Sequence, residues 1–349
     1  MTPTKAWVVT RLGAPTDALE IQTVDVGEPG ANQVRIAVEA FCLDFNDIDT
    51  IRGRYGLLRF EPPFVVGMAA AGTVDAVGPG CEGLLGRRVV GTTAGVQGAY
   101  ASEALLDGAT LQQLPAWLSA AEGVAMYFPY LVSYLALCVR GRVTQGDVVL
   151  VHAAAGGVGS AAVQLAKAFG ATVIGTAGTE AKVDFCRSLG ADYGVNYRSD
   201  DFVGFVDDVT NGRGVDVAFD TVGGGVTTET FRAMAFNGRH LIIGFASGIE
   251  SEERPLPIQP SIYGNFDLVG ICFAYVESPR PARPFGMNFA STAQGIEVWS
   301  QILHLAHAGT VRPVVGQVIE FADVPAWLEK LEGRETIGRI VVRPPTGPS

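Results

Sequence analysis

Apolar and polar positions follow two different rhythms along this chain. In the first third, short β-prone runs such as KAWVVT, QVRIAVEAFCL, AAAGTVDAVG and RRVVGTT are separated by Gly, Pro and Asn. In the middle third, strand-like apolar runs alternate with segments of helical periodicity. This change predicts a β-rich module followed by βαβ units around a doubly wound parallel sheet, and therefore an α/β fold class.

The middle third and the tail supply the elements that would carry a binding site. The predicted strands of the parallel sheet are VVLVHA, TVIGTA, YGVNY, VDVAFDTV, HLIIGFA and FDLVGICFAYV, and the predicted helices are SAAVQLAKAFG, EAKVDFCRSLG and TTETFRAMAFNG. After the proline-rich loop ESPRPARPFG come a helix, TAQGIEVWSQILHLAHAG, and two strands, VVGQVIEF and GRIVVRP. We expect the site in the cleft between the two modules, because open parallel sheets bind ligands at the carboxyl ends of their strands.

Composition narrows the class of protein. The chain has 349 residues, enough for two domains, and its 48% hydrophobic and 17% charged residues are typical of a globular protein with a large core. A net charge of −11 without any basic run argues against a nucleic-acid partner and against anionic membranes. The first residues show no leader pattern, and five scattered cysteines indicate free thiols in a reducing compartment. We therefore predict a cytoplasmic protein that binds neither nucleic acid nor membrane.

One glycine-rich turn points to a cofactor. In VVLVHAAAGGVGSAAVQLAK, the spacing Ala154-x-Gly156-x-x-Gly159 follows a strand and opens a helix. Such a turn lets backbone N–H groups approach a pyrophosphate, and the helix N-terminus supplies partial positive charge. The strand, the helix and the next strand all stand in the required order, so the pattern predicts dinucleotide binding.

The end of the second strand distinguishes NADPH from NADH. An NAD site places an acid there to hold the ribose 2′-hydroxyl, but this strand ends Gly-Thr-Ala-Gly-Thr. Glu180 follows, where it is predicted to start the next helix. Lys182 and the hydroxyl of Tyr197 are candidate ligands of a 2′-phosphate, although a solvated lysine and a packed tyrosine are the alternative. The sequence predicts NADPH.

Together these motifs resemble the zinc-free quinone oxidoreductase branch of the medium-chain dehydrogenase/reductase superfamily. The resemblance covers nearly the whole chain and runs through LDFNDIDTIRGRYG, PPFVVGMAAAGTV, LVSYLAL, VLVHAAAGGVGSAAVQLAK, GTAGTEAK, VNYR, DTVGG, GFASG and RETIGRIVV. It implies a GroES-like catalytic domain, residues 1–126 and 277–349, and a Rossmann NADPH-binding domain, residues 127–276. It also implies a homodimer formed through the last strand of the cofactor domain.

The resemblance further implies which residues touch the cofactor. The pyrophosphate would be held by Gly156, Gly157, Val158 and Gly159. The adenosine phosphate would be held by Gly178, Lys182 and Tyr197. The ribose and nicotinamide would be lined by Thr221, Val222, Phe245, Ala246 and Phe273, and the tail arginine that reaches the cofactor would be Arg334.

Four positions bear on metal and substrate. Zinc relatives carry Cys and His-Glu where this chain has Asp44 and Met68-Ala69, so we predict no metal. The zinc-free branch itself usually has Asn, Glu and Thr at the positions of Asp44, Ala69 and Val132. These differences leave hydride chemistry intact and the usual substrate open.

The expected reaction is metal-free hydride transfer from NADPH to a quinone or an α,β-unsaturated carbonyl compound, an enone. Candidate catalytic residues are Tyr55 and Asp44, with Tyr127 and Tyr130 as further hydroxyls; Tyr55 could equally be a pocket wall. Two alternatives stay open: an enoyl-thioester (enoyl-CoA) reductase, for which Arg52 and Arg54 could attract a CoA phosphate, and a cofactor-binding protein with little turnover.

Overall fold

The structure is a computed structural model that describes residues 3–54, 59–248, 255–278, 280 and 282–345. The chain divides into two units. The first unit contains Met1–Tyr127, Tyr275–Glu297 and Pro313–Ser349, and the second contains Phe128–Ala274 and Val298–Arg312. The segment 298–312, predicted with the first domain, therefore groups with the second. The backbone of Arg312 is held there, since its carbonyl accepts from Tyr130 and its N–H donates to Gln164.

The elements begin and end as follows. Up to residue 134 they are β1 (Pro3–Val9), α1 (Pro15–Ala18), β2 (Leu19–Asp25), β3 (Gln33–Cys42), α2 (Phe45–Ile51), β4 (Phe64–Val65), β5 (Ala69–Val77), β6 (Arg88–Thr92), β7 (Glu103–Asp107), β8 (Gln112–Gln113) and α3 (Ala120–Tyr134). Next come β9 (Val148–Val151), α4 (Gly157–Ala168), β10 (Thr172–Ala177), α5 (Glu180–Ser188), β11 (Tyr193–Asn196), α6 (Phe202–Thr210), β12 (Val215–Asp220), α7 (Gly224–Thr230), β13 (Met234–Ile242), α8 (Gln259–Gly264) and β14 (Asp267–Gly270). The tail adds β15 (Tyr275–Val276), β16 (Ala290–Ser291), α9 (Thr292–His307), β17 (Val315–Glu320), α10 (Val324–Glu332) and β18 (Arg339–Arg343).

Among its described residues, the second unit contains one parallel sheet of six strands in the order β11-β10-β9-β12-β13-β14. Every neighbouring pair is parallel. The order runs outward in both directions from β9 and β12, which is the doubly wound arrangement that binds ligands at the switch between its halves. The predicted α/β fold with a doubly wound sheet is confirmed.

Two predicted elements of this unit differ from the structure. The predicted helix TTETFRAMAFNG is wrong in its second half, because α7 ends at Thr230 and β13 begins at Met234. Parallel pairing of Met234 with Val215 of β12 outweighs the helical spacing of this segment. The run FDLVGICFAYV is likewise not one strand, since β14 ends at Gly270 and β15 belongs to the first unit.

The first unit is built mainly from antiparallel sheet. Its largest sheet has the order β17-β18-β3-β5-β6-β8, with β7 also paired to β3. The tail strand β18 lies antiparallel to β3, with Val341 opposite Cys42. A buried apolar cluster under these strands includes Phe41, Tyr100 and Ile340. The β-rich first module is therefore completed by strands from the C-terminal part of the chain.

Helix α3 is long and strongly apolar. Together with the π-helical turn that follows it, it spans Ala120–Arg140 and has the length and apolar composition of a membrane-crossing helix. However, 67% of its apolar window is buried inside the protein, as in the core helix of a soluble protein. Within the described ranges, it is the one helix with these properties.

Candidate functional site: a dinucleotide cradle and a buried ion pair

The glycine turn between β9 and α4 has the geometry of a pyrophosphate cradle. Gly156 is the N-cap of α4, and the N–H groups of the first helical turn, at Gly157, Val158 and Gly159, point out of the helix N-terminus. A Cβ on Gly159 would lie 2.3 Å from the carbonyl oxygen of Ala153. Only glycine therefore permits this close packing of the helix against the turn.

The neighbouring strand ends β10 and β11 form a second cradle. Gly178 follows β10 directly, and Tyr197 follows β11, which pairs with β10 up to Ala177 and Asn196. A Cβ on Gly178 would lie 2.8 Å from Oη of Tyr197 and 3.3 Å from Nε of Arg198. A hydroxyl and a guanidinium thus converge on a backbone position without a side chain, which suits an anionic group.

The first acid after β10, Glu180, is already engaged. The Oε1 atom of Glu180 accepts a hydrogen bond of 2.8 Å from Nδ2 of Asn196. Glu180 is also the first residue of α5, where a carboxylate is stabilised by the helix dipole. Its carboxylate is thus held by the protein, which weakens the case for a ribose 2′-hydroxyl ligand.

Two basic residues lie in the segments that form this cradle. Lys182 lies in the first turn of α5, whose N-cap Thr179 accepts from the N–H of Lys182. Arg198 was missed as a site residue because its place beside Gly178 depends on how β11 pairs with β10. The VNYR motif contained the signal, since Arg198 directly follows Tyr197.

The loops after β12 and β13 are joined to each other. The N–H of Ala246 donates to the carbonyl of Thr221 at 3.1 Å, and the N–H of Ser247 donates to that of Val222 at 2.8 Å. Gly223, at φ +78°, lies against Phe245, where a Cβ would come within 2.8 Å of the ring. The structure therefore brings together Thr221, Val222, Phe245 and Ala246, the residues expected at the ribose and nicotinamide.

Two further residues expected at the cofactor lie in different units. Phe273 follows β14 in the second unit and packs edge-to-face on Phe128, with ring centroids 5.1 Å apart. Arg334 follows α10 in the first unit, and its backbone is left-handed at φ 59°.

Asp44 lies at the N-cap of α2 in the first unit and is bonded to Arg339 of β18. Nη1 and Nη2 of Arg339 donate to Oδ1 and Oδ2 of Asp44 at 2.7 Å and 2.8 Å. Both side chains are largely buried. Since each carboxylate oxygen accepts from the guanidinium, the contact favours a structural role for Asp44 over that of a proton donor.

A second carboxyl group lies beneath this ion pair. The side chain of Asp47 is fully buried; its Oδ2 atom accepts from the hydroxyl of Tyr100 at 2.6 Å and from the N–H of Asp44 at 2.9 Å. Its Oδ1 atom has no hydrogen-bond partner among the described residues. Burial, followed by the negative charge of Asp44, raises the pKa of Asp47 to about 8. Asp47 is therefore a neutral acid at neutral pH, and the sequence alone did not single it out.

The remaining candidates are three tyrosines, of which the structure describes two. Tyr55 lies outside the described residues. The hydroxyl of Tyr127 donates to the carbonyl of Thr110 at 2.9 Å. The hydroxyl of Tyr130 donates to the carbonyl of Arg312 and accepts from Gln164. Neither of these tyrosines presents a free hydroxyl.

Arg52 and Arg54, considered above as anchors for a CoA phosphate, share one acid. Arg52 contacts Oε2 of Glu332, and Arg54 contacts Oε1 of the same side chain at 2.9 Å. Arg54 also pairs with Asp49 at 3.0 Å. These charges are satisfied within the first unit, which weakens the case for a CoA anchor.

The family follows from comparison with known proteins. Residues 157–285 match the zinc-binding dehydrogenase family, and residues 30–116 match the alcohol dehydrogenase GroES-like domain. The 2-haloacrylate reductase of Burkholderia sp is 32% identical over 344 residues, covering 97% of this chain and 98% of that protein. The chain belongs to the medium-chain dehydrogenase/reductase superfamily.

Solved structures place it in the zinc-free, quinone oxidoreductase-like branch of this superfamily. A mycobacterial protein solved with NADPH is 28% identical, with a TM-score of 0.85 over 98% of this chain and 100% of that one. The Escherichia coli quinone oxidoreductase solved with NADPH is 25% identical, with a TM-score of 0.84 over 97% and 100% of the two chains. The chain is thus an oxidoreductase of this branch.

A much longer relative matches part of the chain. The mycocerosic acid synthase-like polyketide synthase of Mycobacterium tuberculosis is 31% identical over 305 residues, which are 85% of this chain. The chain spans 14% of the length of that protein.

Zinc, which the name of the matching family implies, does not fit the donors at the corresponding positions. Both oxygens of Asp44 are bonded to a guanidinium, which already supplies the positive charge. The sulfur of Met68 lies 3.8 Å from the amide of Asn46, and Ala69 has no donor atom. Within the described part of the chain, no three His, Cys, Asp or Glu side chains are grouped so as to hold a metal.

Proposed function

We propose that this chain is an NADPH-dependent, zinc-independent reductase that delivers hydride to an electron-poor carbon of a quinone or an α,β-unsaturated carbonyl compound. The observation that carries the cofactor choice is the cradle at Gly178, where Tyr197 and Arg198 converge while Glu180 is bonded to Asn196. A 2′-phosphate is an anion that can accept hydrogen bonds from a hydroxyl and a guanidinium. A neutral ribose 2′-hydroxyl does not require a guanidinium. Two similar structures were solved with NADPH, which supports the same choice.

In this proposal the second unit binds and orients the cofactor. The amides of Gly157, Val158 and Gly159 hold the diphosphate, and Gly178, Lys182, Tyr197 and Arg198 hold the adenosine phosphate. The joined loops at Thr221–Val222 and Phe245–Ala246 support the ribose and the nicotinamide, with Phe273 beside them. Arg334 remains a predicted contact from the other unit. When bound, NADPH supplies the hydride.

The substrate class rests on chemistry. A quinone or a C=C bond conjugated to a carbonyl accepts hydride without a Lewis acid, because the negative charge spreads onto oxygen. The 2-haloacrylate reductase is named for a substrate with such a conjugated C=C bond, which supports the enone class. Tyr55 remains the predicted proton donor or pocket wall. Asp44 is proposed to hold β18 against α2 through Arg339.

An enoyl-thioester reductase is the second candidate, and the polyketide synthase relative is the observation that favours it. The pairing of Arg52 and Arg54 with Glu332 argues against a CoA phosphate anchor at that point. A cofactor-binding protein with little turnover is the third.

Steady-state oxidation of NADPH with quinones, simple enones, 2-haloacrylates and enoyl-CoA esters separates these candidates. We expect turnover with quinones or enones. Preference for enoyl-CoA would favour the second candidate, and tight NADPH binding without turnover would favour the third. Reduction of none of these compounds, together with oxidation of simple alcohols by NADP⁺, would show that the proposed chemistry is wrong.

A homodimer formed through the edge of the parallel sheet is part of the proposal. β14 is an edge strand of the six-stranded sheet. Large apolar side chains are exposed on α8 and the start of β13, at Ile262, Tyr263 and Phe236. Such an edge and patch are typical of an interface. Light scattering coupled to size exclusion tests it, and a monomeric mass contradicts it. The cytoplasmic location also remains a prediction.

A further inference from the structure

Asp220 is a fully buried carboxylate at the carboxyl end of β12, where the DTVGG loop begins. Its Oδ1 atom accepts from the N–H groups of Val222 and Gly223 at 2.8 Å and 3.1 Å. Its Oδ2 atom accepts from the hydroxyl of Thr227 and lies 3.3 Å from Nε2 of His240. The side chain of Asp220 therefore holds the DTVGG loop in its conformation through hydrogen bonds to two loop amides and one hydroxyl.

His240 is the partner that makes this burial tolerable. It lies on β13 opposite Ala218 of β12, and its ring is fully buried with an edge-to-face contact to Phe231. The Nδ1 atom of His240 has no hydrogen-bond partner among the described residues. A buried, half-satisfied imidazole is costly, and an aliphatic side chain would suit this strand position better. The hydrogen bond from Nε2 of His240 to Asp220 offsets part of the cost of burying the imidazole.

The electrostatics of the pair agree with this geometry. Burial by itself would raise the pKa of Asp220, but the hydrogen bond from His240 and the neighbouring imidazoles of His152 and His240 lower it far below its usual range. Asp220 thus stays ionised and keeps accepting from the loop amides. Without the contact from His240, the buried carboxylate of Asp220 would lose one of the hydrogen bonds that offset its desolvation. Leaving a buried charge less well paired is strongly destabilising.

The pair also acts on the second loop. Because the carbonyls of Thr221 and Val222 accept from Ala246 and Ser247, a shift of the DTVGG loop moves the GFASG loop with it. We propose that His240 is a positioning residue for the cofactor: through Asp220 it fixes the two loops that carry the ribose and nicotinamide of NADPH. This inference rests on the proposed NADPH-dependent function and adds a residue that touches neither substrate nor cofactor.

The test compares His240→Leu, His240→Asn and His240→Gln with the wild-type protein. Leucine and asparagine cannot donate to Asp220 from this position, whereas the amide of glutamine can reach it. Asp216→Asn is the matched control, because Asp216 lies on the same strand at its other end, where it accepts from the N–H of Val148 and pairs with Arg213. NADPH affinity is measured by cofactor fluorescence, and kcat and KM are measured with the best substrate of the wild-type protein.

We expect His240→Leu and His240→Asn to raise Kd and KM for NADPH about tenfold, which corresponds to ~1.4 kcal/mol. kcat at saturating NADPH should stay within about threefold, since the hydride-transfer geometry is recovered once the cofactor is bound. His240→Gln should restore Kd, and Asp216→Asn should lower only thermal stability. If His240→Leu does not fold, His240→Asn carries the same expectation.

Wild-type NADPH affinity in both the leucine and asparagine variants would overturn the inference, as would an equal loss of affinity in Asp216→Asn. A wild-type protein that binds no NADPH would instead overturn the proposed function, and with it the role of His240. The two failures are distinguishable because the first appears only in the variants.

Discussion

Gly178 and Tyr197 lie so close that a methyl group on the glycine would be 2.8 Å from the tyrosine hydroxyl oxygen. The two residues end neighbouring strands, and Arg198 borders the same space. The space that a side chain at Gly178 would need is therefore occupied by Tyr197 and Arg198.

Gly178→Ala should weaken NADPH binding about tenfold while NADH binding changes less than threefold, because the displaced hydroxyl of Tyr197 serves only the 2′-phosphate. Fluorescence titration with both cofactors measures this. Gly83→Ala is the control, since a Cβ there meets nothing within 4 Å. An equal loss of affinity for NADPH and NADH in Gly178→Ala would indicate general disruption of the cofactor site rather than loss of a phosphate contact.

Arg198→Ala should also weaken NADPH binding by about tenfold, because a hydrogen bond to a charged group contributes ~1.5–3 kcal/mol and this residue is exposed to solvent. NADH affinity should not change, and high salt should reduce the difference. Arg187→Ala is a matched control, because that arginine is exposed on α5 and pairs with Asp184. If Arg198→Ala binds NADPH like the wild type, Arg198 is not a phosphate ligand.

Asp44→Asn should destabilise the protein by ~2–4 kcal/mol, because it leaves the largely buried guanidinium of Arg339 without its charged partner. Urea unfolding measures the free energy, and kcat should stay within about threefold. Asp75→Asn is the control: it breaks a more exposed ion pair with Arg35 and should lower the free energy of unfolding by less than ~1 kcal/mol. Unchanged stability with a hundredfold lower kcat would instead assign Asp44 to catalysis.

The burial of Asp47 predicts a specific pH dependence of stability. Its pKa is about 8 in the folded protein, against an ordinary value of 3.8, so the folded state keeps a proton that the unfolded state releases. The free energy of unfolding should therefore fall as pH rises from about 4 to about 8, by up to ~1.4 kcal/mol per unit.

Asp47→Asn should remove this slope, because an amide mimics the neutral acid at every pH. Urea unfolding between pH 5 and 8 tests it, with the exposed Asp17→Asn as the control. An identical pH profile in wild type and Asp47→Asn would contradict the protonated state of Asp47.

Tyr55→Phe distinguishes the substrate classes. If Tyr55 donates a proton to a reduced enone, the variant should lower kcat about 10²-fold with intact NADPH binding. A quinone can take its proton from water, so its reduction should hardly change. Normal enone turnover in Tyr55→Phe would make this residue a wall of the pocket.

The alternation of strands and helices in the second unit, the glycine turn and the missing acid after β10 were all predictable from the sequence. These features are local: apolar spacing, helix starts and close backbone turns depend on neighbouring residues. The helix predicted through Met234 is wrong for the same reason: the spacing of apolar residues there is helical, but Met234 pairs with Val215, a strand residue nearly twenty positions away.

Tertiary structure alone decided the partners of the polar side chains. Asp44 reads as a catalytic candidate in sequence, but the pairing of β18 with β3 brings Arg339 to it from 295 residues away. The register of β11 on β10 carries Arg198 to Gly178, and that of β13 on β12 carries His240 to Asp220. Sequence fixes which residues can be buried or charged, whereas the free energy of a charge depends on what the packed strands place within hydrogen-bond distance of it.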